Sequence, residues 1–396
     1  MSGGESGVKI KVVADDKIPF LKGALESRAS VVYLPGGKIT IRDLDGVSAL
    51  IVRTRTKCGK NLLDGSPVRF IATATIGYDH IDTAHCGKNG VFWTNAPGCN
   101  SASVAQYMTS ALLKLALKYK FSLKGKTLGV AGVGNVGSKV AEKARALGMR
   151  VLLNDPPRER KEGKKDFVSL DTVLAESDFV SLHTPLEHEG PDKTFHLADG
   201  AFFSRIKKGA FFINASRGEV TDEAALKAAL KTGKISGAVL DVWENEPDID
   251  RDLLGMLDFA TPHIAGYSTD GKANGTAMSV SALSKFFGLG MDDWRPSGVP
   301  APQNPVIDFQ KAPAEALSSL EKALDHAVSA SYSIADDDAK LRAAPGDFEK
   351  IRGEYPLRRE FPAYTVKIGG GFPEPASVSP GALASVLSGL GFRVSL

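Results

Sequence analysis

Short, β-branched apolar runs alternate with helical stretches along most of this chain, and the alternation occurs in two separate series. In the first series the runs at 10–13, 31–34, 50–52 and 70–72 are each closed by polar turns, which predicts βα units on a parallel sheet. From Ser101 the spacing changes. Val104, Met108, Leu112 and Leu115 recur at intervals of four and three, which predicts a long helix with Ser101 or Ser103 as its N-cap. The second series then places strands at 127–131, 150–154, 179–183, 210–214, 237–241 and 259–261, enough for a complete doubly wound sheet. A further helix at 275–287 would carry the chain back to the first series.

The segment 294–305 holds Pro296, Pro300, Pro302 and Pro305, a stiff linker by composition. Beyond it a helix is expected from Pro313, with Leu317, Leu320, Leu324 and Val328 on one stripe. Strands at 364–368 and 392–396 flank a helix at 380–390, a small βαβ element. The expected organisation is therefore α/β and three-part: 8–107 completed by 274–294, a central domain over 108–273, a linker at 295–305 and a small α+β domain over 306–396. A module behind such a linker should be separable, so deletion after Asn304 is expected to leave the rest folded.

Composition narrows the class. With 43% hydrophobic and 24% charged residues in 396, the chain is neither disordered, collagenous nor a coiled coil. Its 49 basic and 46 acidic residues leave a net charge of +3, too little for a nucleic-acid surface, so an anionic partner must be met locally. Cys58, Cys86 and Cys99 form no C-x-x-C pair, and the pairs His80/His85 and His183/His188 lack H-E-x-x-H form, so no metal is assigned and reduced cytoplasmic thiols are expected. The N-terminus shows no basic n-region and no apolar h-region, so no export is expected. The best apolar stretch, 111–119, is broken by Lys114 and Lys118, so no membrane association is expected.

The strongest local signal is Gly132-Val-Gly134-Asn-Val-Gly137, set between an expected strand and an expected helix. In such a Rossmann turn the first glycine permits the bend, the second lets backbone approach a pyrophosphate, and the third packs helix on strand. Asp155, closing the next strand, can accept both adenosine ribose hydroxyls and would repel a ribose phosphate, which favours NAD over NADP. Arg158 argues the other way, since it could pair with a 2′-phosphate.

Three more strands run into Ala215-Ser216-Arg217, into Trp243-Glu-Asn-Glu246-Pro and into Pro262-His263-Ile-Ala-Gly266-Tyr267, all at the sheet edge where active sites open. Taken singly, Arg217, Glu246 and His263 read equally well as a surface cation, a turn carboxylate and a core-edge histidine. Together they fit the oxidation of an alcohol beside a carboxylate, in which a base takes the hydroxyl proton as a hydride leaves carbon. His263 is the natural base, Glu246 would orient its imidazole, and Arg217 offers a planar fork to a carboxylate.

On these residues the chain is identified as a member of the D-2-hydroxyacid dehydrogenase family. The resemblance extends through Val52-Arg-Thr-Arg-Thr-Lys57, Thr73-Ala-Thr-Ile-Gly-Tyr-Asp-His-Ile-Asp82, Asn95-Ala-Pro-Gly-Cys-Asn100, Asn154-Asp-Pro-Pro-Arg158, His188-Glu-Gly-Pro191 with His196-Leu, Pro345-Gly-Asp-Phe348 and Tyr355-Pro-Leu-Arg-Arg-Glu360, nearly the whole chain. It implies a Rossmann NAD-binding domain, a flavodoxin-like substrate (lid) domain and a C-terminal dimerisation domain. It also implies Arg217, Glu246 and His263 as catalytic residues, with Gly132, Gly134, Asn135, Val136, Gly137, Asp155, Thr184, Ala215, Ser216, Asp241 and Gly266 at the NAD site. Thr54, Thr75 and Tyr267 match substrate contacts, and Arg53, with Arg55 and Lys57 near it, could meet a phosphate or simply end a strand in solvent.

The implied partner is a small phosphorylated 2-hydroxy acid, bound in the cleft between the first two domains of a homodimer. Gln106 stands where several relatives carry Glu, Thr54 where serine is expected, and Ser216 where a related sequence has cysteine. Two alternatives remain at this point: a dehydrogenase of the same family acting on 3-phosphoglycerate, and a non-catalytic NAD-sensing protein on the same scaffold.

Overall fold

The computed structural model describes residues 10–369 and 377–396, which form two compact units. The first unit holds the described residues up to Asn100 together with Ser268–Pro300. Its strands are β1 (Ile10–Asp15), β2 (Ala29–Leu34), β3 (Ala49–Val52), β4 (Phe70–Thr73) and β5 (Phe92–Thr94), all parallel in the order β2-β1-β3-β4-β5. That order is flavodoxin-like and places the switch point between β1 and β3. Every residue of β3 and β4 is buried, as a strand covered on both faces requires. Val13, Leu50, Val52 and Ile71 fill one face, and Val12, Ala14, Ile51 and Phe70 the other, against Val280 and Leu283.

Val280 and Leu283 lie on the helix Thr269–Phe287, which belongs to this unit. It starts six residues before the expected 275, because Ser268 Oγ accepts the Gly271 N–H while the first turns carry polar and small residues without an apolar stripe. Strand β5 carries no sequence signal, being a three-residue edge strand too short to show alternation.

The second unit comprises Ser101–Tyr267 and the described part of Ala301–Leu396. Its main sheet contains β6 (Thr127–Ala131), β7 (Arg150–Asn154), β8 (Phe179–Leu182), β9 (Ala210–Asn214), β10 (Ile235–Leu240) and β11 (Phe259–Ala260), parallel in the order β11-β10-β9-β8-β6-β7. The chain reverses direction across the sheet between β6 and β8, the expected ligand crevice of such a fold. The helix Ser101–Tyr119 runs as expected, with Ser101 and Ser103 both in its first turn. Both are buried, and Ser103 Oγ donates to the Ala265 carbonyl at 2.8 Å.

After the proline-rich stretch, β12 (Val306–Asp308), β13 (Thr365–Lys367) and β14 (Arg393–Ser395) form a separate parallel sheet, with the helix Pro380–Leu390 between its last two strands. The helix expected from Pro313 is broken: a short turn of helix over Ala314–Leu317 gives way to Leu320–Ser331, restarted where Ser319 Oγ accepts the Lys322 N–H. This sheet is distinct, yet its core is not. Leu317, Leu324, Val328, Leu383 and Leu387 share one apolar cluster with Leu112, Leu115, Val140 and Ala144 of the nucleotide-type domain. Each fully buried Leu or Val there contributes about 1.5–3 kcal/mol relative to exposure.

Candidate active site

At the β6/β8 switch point the backbone leaves no room for side chains. Gly132 has φ +86°, and a Cβ there would stand 2.7 Å from the His183 carbonyl and 2.8 Å from the Thr184 nitrogen. A Cβ on Gly137 would meet the Gly132 oxygen at 2.0 Å, so the helix Asn135–Ala146 packs on its strand through bare backbone. Gly134 differs, since a Cβ would touch nothing within 4 Å. It sits at the mouth of that helix, where no side chain caps the first N–H groups, so the amides of Asn135, Val136 and Gly137 remain as donors.

Beside this opening Thr184 Oγ1 and His183 Nδ1 are buried without hydrogen-bond partners. Burial pushes the His183 imidazole down to about 3, so it is neutral, and its Nε2 shares a 2.7 Å bond with Ser181 Oγ. An uncapped helix mouth, open space at Gly134 and an orphaned hydroxyl together suit a dinucleotide.

Asp155 follows β7, caps the next helix and ties the glycine loop to it: Oδ2 accepts the Val133 N–H at 2.8 Å and Oδ1 the Arg158 N–H at 3.0 Å. Arg158 itself is committed elsewhere. Its Nε and Nη2 hold Glu162 at 2.8 and 2.7 Å, and Nη1 donates to the Val133 carbonyl at 2.6 Å. A 2′-phosphate would have to compete with Glu162 for its guanidinium.

The three loops that carry Arg217, Glu246 and His263 meet at the carboxyl ends of β9, β10 and β11. Asn214 shapes the first: its Oδ1 accepts the Ser216 N–H and hydroxyl, and its Nδ2 donates to the Arg217 carbonyl at 2.8 Å. Arg217 Nη1 donates back to the Ser216 carbonyl at 2.8 Å, and Ala215 packs against the core. Gly218 then lies flat on the second loop, for a Cβ there would come 1.8 Å from the Trp243 oxygen.

Trp243 N–H donates to Glu246 Oε1 at 3.0 Å, and the Glu246 carboxylate receives His263 Nδ1 at 2.8 and 3.1 Å. Burial would raise the Glu246 pKa, but the His263 hydrogen bond and charge, the Trp243 N–H and the Arg352 guanidinium outweigh it and hold the carboxyl below its usual range. With Nδ1 anchored, His263 Nε2 makes no hydrogen bond among the described residues.

His263 has φ +56°, a left-handed conformation that a side chain adopts only when its surroundings impose it. Asp241 imposes much of it. Its carbonyl accepts the His263 N–H at 2.6 Å, Oδ1 accepts Thr261 Oγ1 and the Ile264 N–H, and Oδ2 accepts the Ala265 N–H. The side chain read as a cofactor contact is thus already engaged in shaping the histidine loop. Gly266 and Tyr267 end that loop, and the Tyr267 ring lies edge-on to Tyr355 and 5.7 Å from the Arg352 guanidinium. A second pair, His196 Nε2 with Glu244 Oε1 at 2.7 Å, borders the same loops and was not foreseen.

In the first unit, Arg53 and exposed Thr54 follow β3, and Thr75 follows β4, all at carboxyl ends beside the switch point. Arg53 Nε pairs with buried Asp15 at 3.3 Å, and Thr75 Oγ1 donates to the Gly77 carbonyl while sharing a bond with Thr73. Lys272, on the helix Thr269–Phe287, joins this group unannounced by any motif. Burial, and then the charge of Arg53, push its ammonium below the usual lysine range.

Together the doubly wound sheet, the glycine loop and the Arg, Glu and His loops define a nicotinamide-linked dehydrogenase of the 2-hydroxyacid class. Residues 104–265 match the family described as D-isomer specific 2-hydroxyacid dehydrogenase, NAD binding domain, and residues 304–377 match a domain of unknown function. The chain is 50% identical over 360 residues to the erythronate-4-phosphate dehydrogenase of Bacteroides fragilis, covering 91% of this chain and 99% of that one. It is 43% identical to that of Porphyromonas gingivalis, covering 90% and 95%. Among solved structures, D-lactate dehydrogenase from Aquifex aeolicus complexed with NAD and lactic acid is similar at TM-score 0.58 and 29% identity, covering 70% of this chain and 95% of that one. This chain belongs to the erythronate-4-phosphate dehydrogenase family.

Proposed function

We propose that this chain oxidises 4-phospho-D-erythronate to 3-hydroxy-2-oxo-4-phosphooxybutanoate with NAD, a step in pyridoxal 5′-phosphate synthesis. The observation that carries the reading is the Glu246–His263 pair at 2.8 Å, which leaves Nε2 of a backbone-constrained histidine open beside the Arg217 loop, in a chain half identical to a named enzyme of this activity. NAD, held by the glycine loop, the helix mouth, Asp155 and Thr184, supplies the two-electron acceptor. His263 Nε2 takes the proton of the C2 hydroxyl. Glu246 stabilises the imidazolium that forms, and the Arg217 fork holds the substrate carboxylate and the oxygen that becomes a carbonyl.

Thr54, Thr75 and Tyr267 supply hydroxyls for a polyhydroxylated acid, and Arg53 with Lys272 supplies positive charge for its phosphate. Removing the base should lower the rate by about 10²–10⁴. The same reading has the enzyme act in the cytoplasm, in keeping with a chain that holds only three cysteines, all buried, as a homodimer joined through 306–396. Light scattering at the dimer mass tests the assembly.

The deciding experiment mixes protein, NAD, a 2-oxo acid acceptor and either 4-phospho-D-erythronate or 3-phosphoglycerate, and measures the oxidised product directly. Turnover of the first substrate, lost in His263→Ala with NAD binding intact, is expected. Turnover of 3-phosphoglycerate alone would replace the substrate, and NAD binding without any product would make the chain a sensor.

A further inference from the structure

Strand β11, which delivers His263, is only two residues long, lies at the sheet edge and is paired on one side alone, Val239 with Phe259 and Leu240 with Ala260. A strand that short cannot by itself hold the following loop in a strained conformation. The stretch Tyr355–Glu360, which the reaction leaves without a task, is where the missing restraint comes from.

Arg358 is 4% exposed, and its guanidinium reaches three acceptors at once. Nε donates to Gln106 Oε1 at 2.9 Å, Nη2 to the Ser103 carbonyl at 2.7 Å, and Nη1 to the Ile264 carbonyl at 3.3 Å, one residue past His263. Its flat face lies 3.6 Å from the centre of the Tyr332 ring. Ser103, gripped by Arg358, itself donates to the Ala265 carbonyl. The backbone of Ile264 and Ala265 is therefore held twice, at its N–H groups by Asp241 and at its carbonyls by Arg358 and Ser103. On the other side of His263, Asp338 Oδ1 accepts the Ala260 N–H at 2.7 Å. Arg342 pairs with Asp338 and donates to the Leu254 and Leu257 carbonyls.

We infer that the C-terminal segment is an intrachain clamp on the catalytic loop, with Arg358 the positioning residue that keeps His263 aimed at substrate. A neutral donor could satisfy one carbonyl; only a rigid planar fork joins Ser103 and Gln106 of the helix Ser101–Tyr119 to the loop at Ile264. Its three acceptors are neutral, and the Asp337 carboxylate, bonded to the Tyr355 hydroxyl at 2.7 Å, offsets only from a distance the cost of burying the cation, which makes its geometry exacting. The inference rests on His263 being the base, and it gives the last domain a task in catalysis as well as in assembly.

The test compares wild type with Arg358→Met, Arg358→Lys and Asp338→Ala by kcat, KM, NAD affinity and amide hydrogen exchange of residues 259–267. Arg358→Met should keep NAD affinity and change KM by less than about threefold, while kcat falls roughly ten- to a hundredfold. Exchange in 259–267 should accelerate by about tenfold with strand β6 unchanged, and Arg358→Lys should recover part of both effects. Should Arg358→Met fail to fold, Asp338→Ala must show the same paired change in milder form. Accelerated exchange with wild-type kcat, or lost kcat with unchanged exchange, overturns the clamp. If wild type does not oxidise the proposed substrate, the exchange measurement still reads the clamp, so the two failures are separable.

Discussion

Gly218 offers the sharpest probe of how the proposed catalytic loops are assembled. A methyl added there would lie 1.8 Å from the Trp243 oxygen, 2.0 Å from its carbonyl carbon and 2.6 Å from the Glu244 nitrogen, all backbone atoms with no rotamer to yield. Opening the shortest contact to about 3 Å requires a displacement of about 1.2 Å in a close-packed region. One partner in that displacement follows Arg217 directly, and the other donates its N–H to Glu246. Gly218→Ala must therefore separate Arg217, the proposed carboxylate-binding cation, from the Glu246–His263 pair. Overpacking of this kind costs about 1–3 kcal/mol of stability. A misplacement near 1 Å costs about a hundredfold in rate, equivalent to about 2.7 kcal/mol of transition-state stabilisation. Product formation under saturating NAD measures the rate, and thermal unfolding with NAD titration separates it from misfolding or cofactor loss. A folded Gly218→Ala enzyme with wild-type kcat would refute the claim that these two loops share one backbone contact on which catalysis depends.

Gly134→Ala is the counterpart: with nothing within 4 Å of the new methyl, stability should change by no more than about 0.5 kcal/mol, yet NAD affinity by calorimetry should fall at least about tenfold. Unchanged affinity would mean that the cofactor does not approach this backbone. Buried His183, held neutral down to about 3, makes the fold acid-sensitive, because between pH 6.5 and 3 the unfolded chain binds a proton that the fold refuses. Stability should drop by about 2 kcal/mol from pH 7 to 5, and urea unfolding of His183→Asn should show a gap to wild type that narrows on acidification; parallel curves would contradict this. Deletion after Asn304 should yield a dye-binding, loosely packed chain by near-ultraviolet circular dichroism, since it uncovers the faces of Leu112, Leu115, Val140 and Ala144; a native spectrum would show that the shared core is dispensable.

Where the sequence repeats a local rule, structure follows it closely. Strands β6, β7 and β9 begin and end where apolar runs meet polar turns, and the helix Pro380–Leu390 starts at its proline and stops before Gly391. Departures occur where one side chain or one distant contact decides. Ser268 starts a helix that periodicity places later, and a polar Ser318-Ser319 step splits the stripe from Leu317 to Val328. The proline-rich linker is a true boundary of sheets but not of cores, because linker composition reports chain stiffness and says nothing of what the following helices pack against.

The candidate site divides along the same line. Arg217, Glu246 and His263 were legible because each follows a recognisable strand and each has a side chain suited to one part of the reaction. The groups that make those three useful carry no local signature. Asp241 looks like any carboxylate after a strand, yet it accepts three side-chain-directed bonds from the loop of His263. Asp338 and Arg358 lie in a stretch whose partners, Ala260 and Ile264, are 78 and 94 residues away in sequence. A strained, edge-strand histidine is affordable only where backbone donors and acceptors on both sides are taken up by buried charged groups. The residues proposed to perform the chemistry thus announce themselves by type, whereas those that hold them in place are found only once the fold has brought them together.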